Sequence, residues 1–208
     1  MLSLFSLGLA AAPAAAQDIV DLFNERPPQI MHTSGLFTFV PPNGWDCHQN
    51  KDSSVECRTN NAGAAGTLFV THSTIQGVLD SELMALNSEK DLKKLPHYQR
   101  VGGGRILLGE LKASIRSFVF DYQGNTEYPV AVEQLYVVSG SKAIKLHFET
   151  MRRTMPGYAR DLKLVYDTFS VGEVDALGQV VKPAELRGQK RGSEGGKGKR
   201  GGGVQQLP

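Results

Sequence analysis

The sequence predicts an α+β domain, an antiparallel sheet of about six or seven strands flanked by two helices. Three observations predict it. Through most of residues 34–172 apolar side chains alternate at period two, the signature of strands. Two segments, residues 78–95 and 155–169, change to helical spacing. The strand-like runs follow one another through tight turns, as antiparallel pairing permits.

The elements follow in chain order. Phe37, Phe39 and the segment that starts at Trp45 open the domain. A hairpin comes next. With Lys51-Asp52-Ser53 as a three-residue turn, Cys47 falls opposite Cys57, Asp46 opposite Arg58 and His48 opposite Glu56. Directly opposed residues have Cα atoms about 4.5–5.5 Å apart, within reach of a disulfide. Pairing of opposite charges on the other face supports the same register.

Residues 67–71 supply a further strand, and residues 78–95 a helix with Leu79, Leu83 and Leu86 on its packing side. Strands at 105–108, 113–122, 129–138 and 143–150 complete the sheet. In the longest, Phe118, Phe120 and Tyr122 take one face, and Ile115 and Val119 the other. A strand apolar on both faces needs cover on both. The closing helix, 155–169, aligns Tyr158, Leu162, Val165 and Phe169 in one stripe, with Thr154 before Pro156 as its start signal. Both helical stripes read as core.

The ends differ from this domain. Residues 1–16 read as a signal peptide: an apolar run over 2–12, then Ala14 and Ala16 before Gln17. The run is shorter than the roughly 20 residues of a transmembrane helix. No cysteine follows the cleavage point, so a lipid anchor is not expected. Residues 17–33, with Pro27-Pro28, read as an extended arm carrying one helical turn near Ile19–Phe23. Residues 34–172, about 140 in number, suit one domain with one core. Residues 173–208 are rich in glycine and charge, lack aromatics, and read as a disordered tail. That tail holds 7 Lys/Arg against 4 Asp/Glu, leaving 16 against 17 for residues 17–172. The basic balance belongs to the tail, which excludes a basic globular surface.

Export favours a disulfide over metal or thiol chemistry for Cys47 and Cys57. A cysteine nucleophile needs a base that reaches its sulfur, and strand neighbours such as His48 point to the opposite face. His32, His72, His97 and His147 stand singly without metal-ligand spacing, and each reads as a surface or cross-strand residue. The run Val101-Gly102-Gly103-Gly104-Arg105 lacks the ending of a phosphate loop and reads as a turn or bulge. Ser139-Gly140-Ser141 reads as a hairpin turn. No catalytic residue, cofactor or metal site is expected.

The run F-T-F-V-P-P-N-G-W, the hairpin, the meander of long strands and the closing Y-D-T-F-S-V resemble the PsbP-like family. That group includes the photosystem extrinsic protein, the Ran-binding Mog proteins and the DcrB-like bacterial proteins. Phe37, Phe39, Pro42, Trp45, Phe169 and Ser170 stand at comparable places, with the final Phe-Ser order reversed. The resemblance implies an α/β/α sandwich with a curved antiparallel sheet. It further implies a non-enzymatic accessory protein that docks on protein complexes, and a concave apolar sheet face as the feature to seek. No photosystem-binding or Ran-binding motif is present to carry over.

Two functions are therefore expected. One is an exported accessory protein, periplasmic or secreted, that binds another protein or assembly in the cell envelope. The alternative is a polyanion-binding module acting through Arg187, Lys190, Arg191, Lys197, Lys199 and Arg200, against a single Glu in that stretch.

Overall fold

A computed structural model describes residues 29–76 and 80–186. The expected signal peptide, most of the expected arm and the six basic tail residues lie outside the described residues. In chain order the elements are β1 (Ile30–Met31), β2 (Phe37–Phe39), β3 (Asp46–Gln49), β4 (Val55–Thr59) and β5 (Gly66–Thr74). There follow α1 (Ser81–Leu92), β6 (Gln99–Leu108), β7 (Leu111–Asp121), β8 (Pro129–Ser139) and β9 (Lys142–Met151). A 3-10 turn (Met155–Tyr158) leads into α2 (Ala159–Thr168), and β10 (Ser170–Val171), β11 (Glu173–Val174) and β12 (Val180–Lys182) close the chain.

The main sheet has seven strands in the order β3-β4-β5-β9-β8-β7-β6, every neighbouring pair antiparallel. After β5 the chain passes through α1 to the far edge, then returns strand by strand to β5. The first hairpin has the expected register: Cys47 faces Cys57, and their sulfurs are bonded. On the other face Glu56 receives both His48 (3.8 Å) and Arg58 (2.5 Å); Arg58 turns to its own strand rather than to Asp46. The glycine run lies inside β6, beside a bulge between Arg100 and Gly102.

The two faces of the sheet differ in chemistry. Under α2 lies the core: Val55, Leu68, Val70, Leu135, Val137, Ile144, Leu146 and Phe148 meet Tyr158, Leu162, Val165 and Phe169. Trp45 stacks on Phe148 with ring centroids 5.6 Å apart and donates its Nε1–H to Asp161 (2.9 Å). Gly66 is needed there, because a Cβ would come within 2.9 Å of the Phe148 ring.

The other face is mixed, with Phe118, Val132 and Tyr136 buried beside Ser114, Arg116 and Gln134, and α1 meets it with small and polar residues. The expected stripe of Leu79, Leu83 and Leu86 is not the packing side: Leu83 and Leu86 are 44% and 45% exposed, while Ser81, Ala85 and Glu89 are buried. Leu79 lies outside the described residues. The reason lies in the sheet. Beneath α1 stand Ser114, Arg116 and Gln134, all buried, and a buried cation demands carboxylates. Glu82 binds Arg116 and accepts from Ser114 (2.9 Å), while Glu89 accepts from Tyr98 (3.1 Å) and faces Arg100 (3.6 Å).

The domain extends past both expected boundaries. Ile30 and Met31, placed in the arm, pair with β2, which pairs on its other side with β10. Residues 173–182, placed in the disordered tail, form a second hairpin, and Ala184 is buried. The C-terminal extension is fastened at two points to the segment between β1 and β2: Gly172 N–H donates to Leu36 O (2.9 Å) and Ala184 N–H to Gly35 O (2.8 Å).

Candidate functional site

The site follows from a mismatch of widths. The sheet is seven strands wide, but α2 and β2 cover only part of its apolar face. Beyond α2, the ends of β6, β7 and β8 remain open as a groove of about 800 Å3, within the size range of ligand-binding clefts. Ile115 and Val119 of β7, Ile106 and Leu108 of β6 and Ala131 of β8 form its floor; Met155, Ala159, Leu162 and Tyr166 form its wall.

That wall is a second stripe on the closing helix. Met155, Ala159, Leu162 and Tyr166 recur at intervals of four, three and four, sharing Leu162 with the core stripe. The sequence carried this signal, but the longer run through Phe169 concealed it.

Polar groups are few and mostly tied. Glu133 accepts from Tyr166 Oη–H (2.8 Å) and Ser117 Oγ–H (3.0 Å). Burial, followed by the Glu133 charge and hydrogen bond, pushes the Tyr166 phenol well above its ordinary pKa, so it remains a donor. At the rim Lys163 pairs with Asp167 (2.5 Å). Arg152 lines the rim as well and makes no ion pair among the described residues. The lining holds no Ser, Thr, Cys or His. Such a surface can hold an apolar ligand and orient one charge. At the free edge, Val101 and Leu107 are 55% and 68% exposed.

A polar relay lies on the opposite face. Tyr136 Oη donates to Gln134 Oε1 (2.5 Å), the Gln134 amide contacts His147 Nδ1 (2.8 Å), and His147 Nε2 reaches Glu149 (3.1 Å). The hydrogen bond from His147, opposed by burial, holds the Glu149 carboxyl below its ordinary pKa. His147 is a cross-strand residue as expected, paired with Gln134. His72 is cross-strand as expected, opposite Ile144, while His32 is buried and its ring meets the half-buried His72 edge to face. Among the described residues no group of His, Cys, Asp and Glu could hold a metal ion, and no helix is long and apolar enough to cross a membrane.

The architecture is the PsbP/Mog-like α/β fold. Among solved structures, LpqN of Mycobacterium tuberculosis, described as involved in cell envelope biogenesis, matches with a TM-score of 0.56 at 15% identity. That match covers 74% of this chain and 95% of LpqN. The PsbP protein of the cyanobacterium Synechocystis matches with a TM-score of 0.50 at 15% identity, over 69% of this chain and 91% of that one. The Ran-binding protein Mog1p of Saccharomyces cerevisiae matches with a TM-score of 0.50 at 9% identity, over 70% and 95%. No family profile matches the chain, and no curated protein matches it. At these identities the likeness is one of fold.

Proposed function

We propose that this is a non-enzymatic, exported accessory protein that binds another protein or assembly in the cell envelope through the groove beside α2. The observation that carries the reading is the open apolar floor of Ile106, Ile115 and Val119, continued at the edge by exposed Val101 and Leu107. Apolar surface gathered in one concave place and rimmed by charge is the kind that partners cover. The Cys47–Cys57 bond suits an oxidising compartment, and LpqN, which shares the fold, is described as involved in cell envelope biogenesis.

Photo-crosslinking in intact cells tests this. Benzoylphenylalanine in place of Val101 or Leu107 is expected to give a discrete protein adduct. The same probe at Tyr128, which is 53% exposed but outside the groove, is expected to give none. Absence of adducts from the groove positions, or equal adducts from all three, overturns the reading.

A further inference from the structure

Resting on that reading, we infer that the groove receives an extended segment of the partner protein, which pairs with β6 as an eighth strand. The two edges of the main sheet differ sharply. β3 has four residues, alternates exposed with half-buried positions and is pinned by the disulfide; short edges of this kind resist pairing. β6 has ten residues and pairs with no strand on its outer side among the described residues. Its first half is kinked by the bulge after Arg100. Residues 104–108 run in uninterrupted register with β7.

The hairpin geometry shows which groups face outward. β6 joins β7 through the two-residue turn Gly109-Glu110, with φ of Gly109 at +64° and Leu108 opposite Leu111. A turn of this length closes on a hydrogen-bonded pair, and such pairs alternate along an antiparallel ladder. Leu108, Ile106 and Gly104 thus turn their amides toward β7. Leu107 and Arg105 turn theirs toward solvent, where an added strand would meet them.

Side chains define the guest. Ile106 and Leu108 lie on the groove face, so a strand laid beside them places every second side chain over the same floor. Those positions must be apolar. Charge narrows the chemistry further. Lys163 is held by Asp167, Arg105 faces Glu82 (3.9 Å) and Arg100 faces Glu89 (3.6 Å). Arg152 at the rim is uncommitted among the described residues, so the guest carries an acidic residue for it. The partner segment is extended, alternately apolar and acidic at one flank.

The test uses a displayed library of ten-residue peptides, apolar at alternate positions with one Asp or Glu, selected on the full chain. A selected peptide is then synthesised with N-methyl groups on every second amide, in each of the two phases. One phase is expected to weaken binding at least about tenfold through lost backbone hydrogen bonds, and the other to bind as the parent does. Hydrogen exchange should show new protection at the Arg105 and Leu107 amides. Leu107→Pro, which removes an outward donor at an edge where proline is tolerated, should abolish binding and leave the melting curve in place.

Equal binding by both methylated phases overturns strand pairing, as does a selection whose binders all survive Leu107→Pro. So does protection of the same amides by lysophosphatidylglycerol micelles when no peptide binds, which would make the groove a lipid site. A dimer of this chain that Leu107→Pro dissociates would assign the edge to a second copy instead. If strand pairing fails while crosslinks still form at Leu107, protein binding stands and only its geometry is lost.

Discussion

His32 and His72 meet edge to face inside the domain, ring centroids 4.8 Å apart. His32 bonds to Ser34 Oγ (2.7 Å) and the Ser53 carbonyl (3.1 Å), whereas both ring nitrogens of His72 are buried without a hydrogen-bond partner. Burial lowers both pKa values, assisted by Lys142 at each and by His72 at His32; Asp52 opposes it at His72 and the Ser53 carbonyl at His32. A base whose folded pKa is depressed binds more protons unfolded, so its contribution is complete above the unfolded value and lost as pH falls through the folded one. The melting temperature should therefore drop between about pH 7 and pH 5. His72→Leu should flatten that drop and cost little at neutral pH, since it removes two unsatisfied polar atoms. An equally steep drop in the variant would remove the pair from this role.

Arg116 is the buried cation under α1, its side chain 4% exposed. Replacing it with methionine leaves the Glu82 and Glu89 carboxylates without their central partner and should cost about 3–5 kcal/mol in denaturant unfolding. Burial raises the Glu82 pKa, but hydrogen bonds from Ser114 and Arg116 outweigh it and the net shift is downward. The clamp is thus complete at neutral pH and weakens as pH falls below the carboxylate range.

Trp45 joins the hairpin to α2 through its stack on Phe148 and its bond to Asp161. Trp45→Ala should destabilise by about 3–5 kcal/mol. Trp45→Phe retains the stack, loses the hydrogen bond and should cost about 1 kcal/mol. Chemical unfolding of both variants checks the order, and equal losses would assign the whole effect to the hydrogen bond with Asp161.

Native protein should show no titratable thiol after denaturation. The Cys47–Cys57 bond spans a sequence separation of 10, and chain-entropy arithmetic assigns roughly 2.5–3 kcal/mol to closing so short a loop. Reduction or a Cys47→Ala/Cys57→Ala pair should lower stability by that amount.

The basic tail is tested by deletion. If Arg187, Lys190, Arg191, Lys197, Lys199 and Arg200 bind polyanions, heparin retention should fall steeply between about 50 and 200 mM salt. Removing residues 187–208 should abolish retention and leave the melting curve unchanged. Equal retention by both proteins would leave the tail without that function.

The parts of this fold legible from sequence are those in which local pattern and packing agree. A three-residue turn and strict alternation fixed the Cys47–Cys57 register, and the Tyr158 stripe on α2 faces the core as read. The α1 helix defeated the same logic because its sheet face buries Arg116, so small and acidic residues turn inward and Leu83 outward. β1, β10 and β11 have two residues each, too short for periodicity; distant partners define them. The groove was half visible. Its floor residues Ile115 and Val119 were read as an apolar face requiring cover, and the incompleteness of that cover is a matter of how far α2 reaches across the sheet.

The fastening of the C-terminal extension to the Gly35–Leu36 segment, a few residues after β1, has a directional consequence. Through His32 that segment sits against the β3–β4 turn and β5, on the half of the sheet remote from β6. A molecule held at the β1 end or at Ala184 would thus be oriented: that hold lies at one flank, and the free edge of β6 projects from the other. Anchorage and reach are separated by the width of the sheet, and neither would obstruct the other.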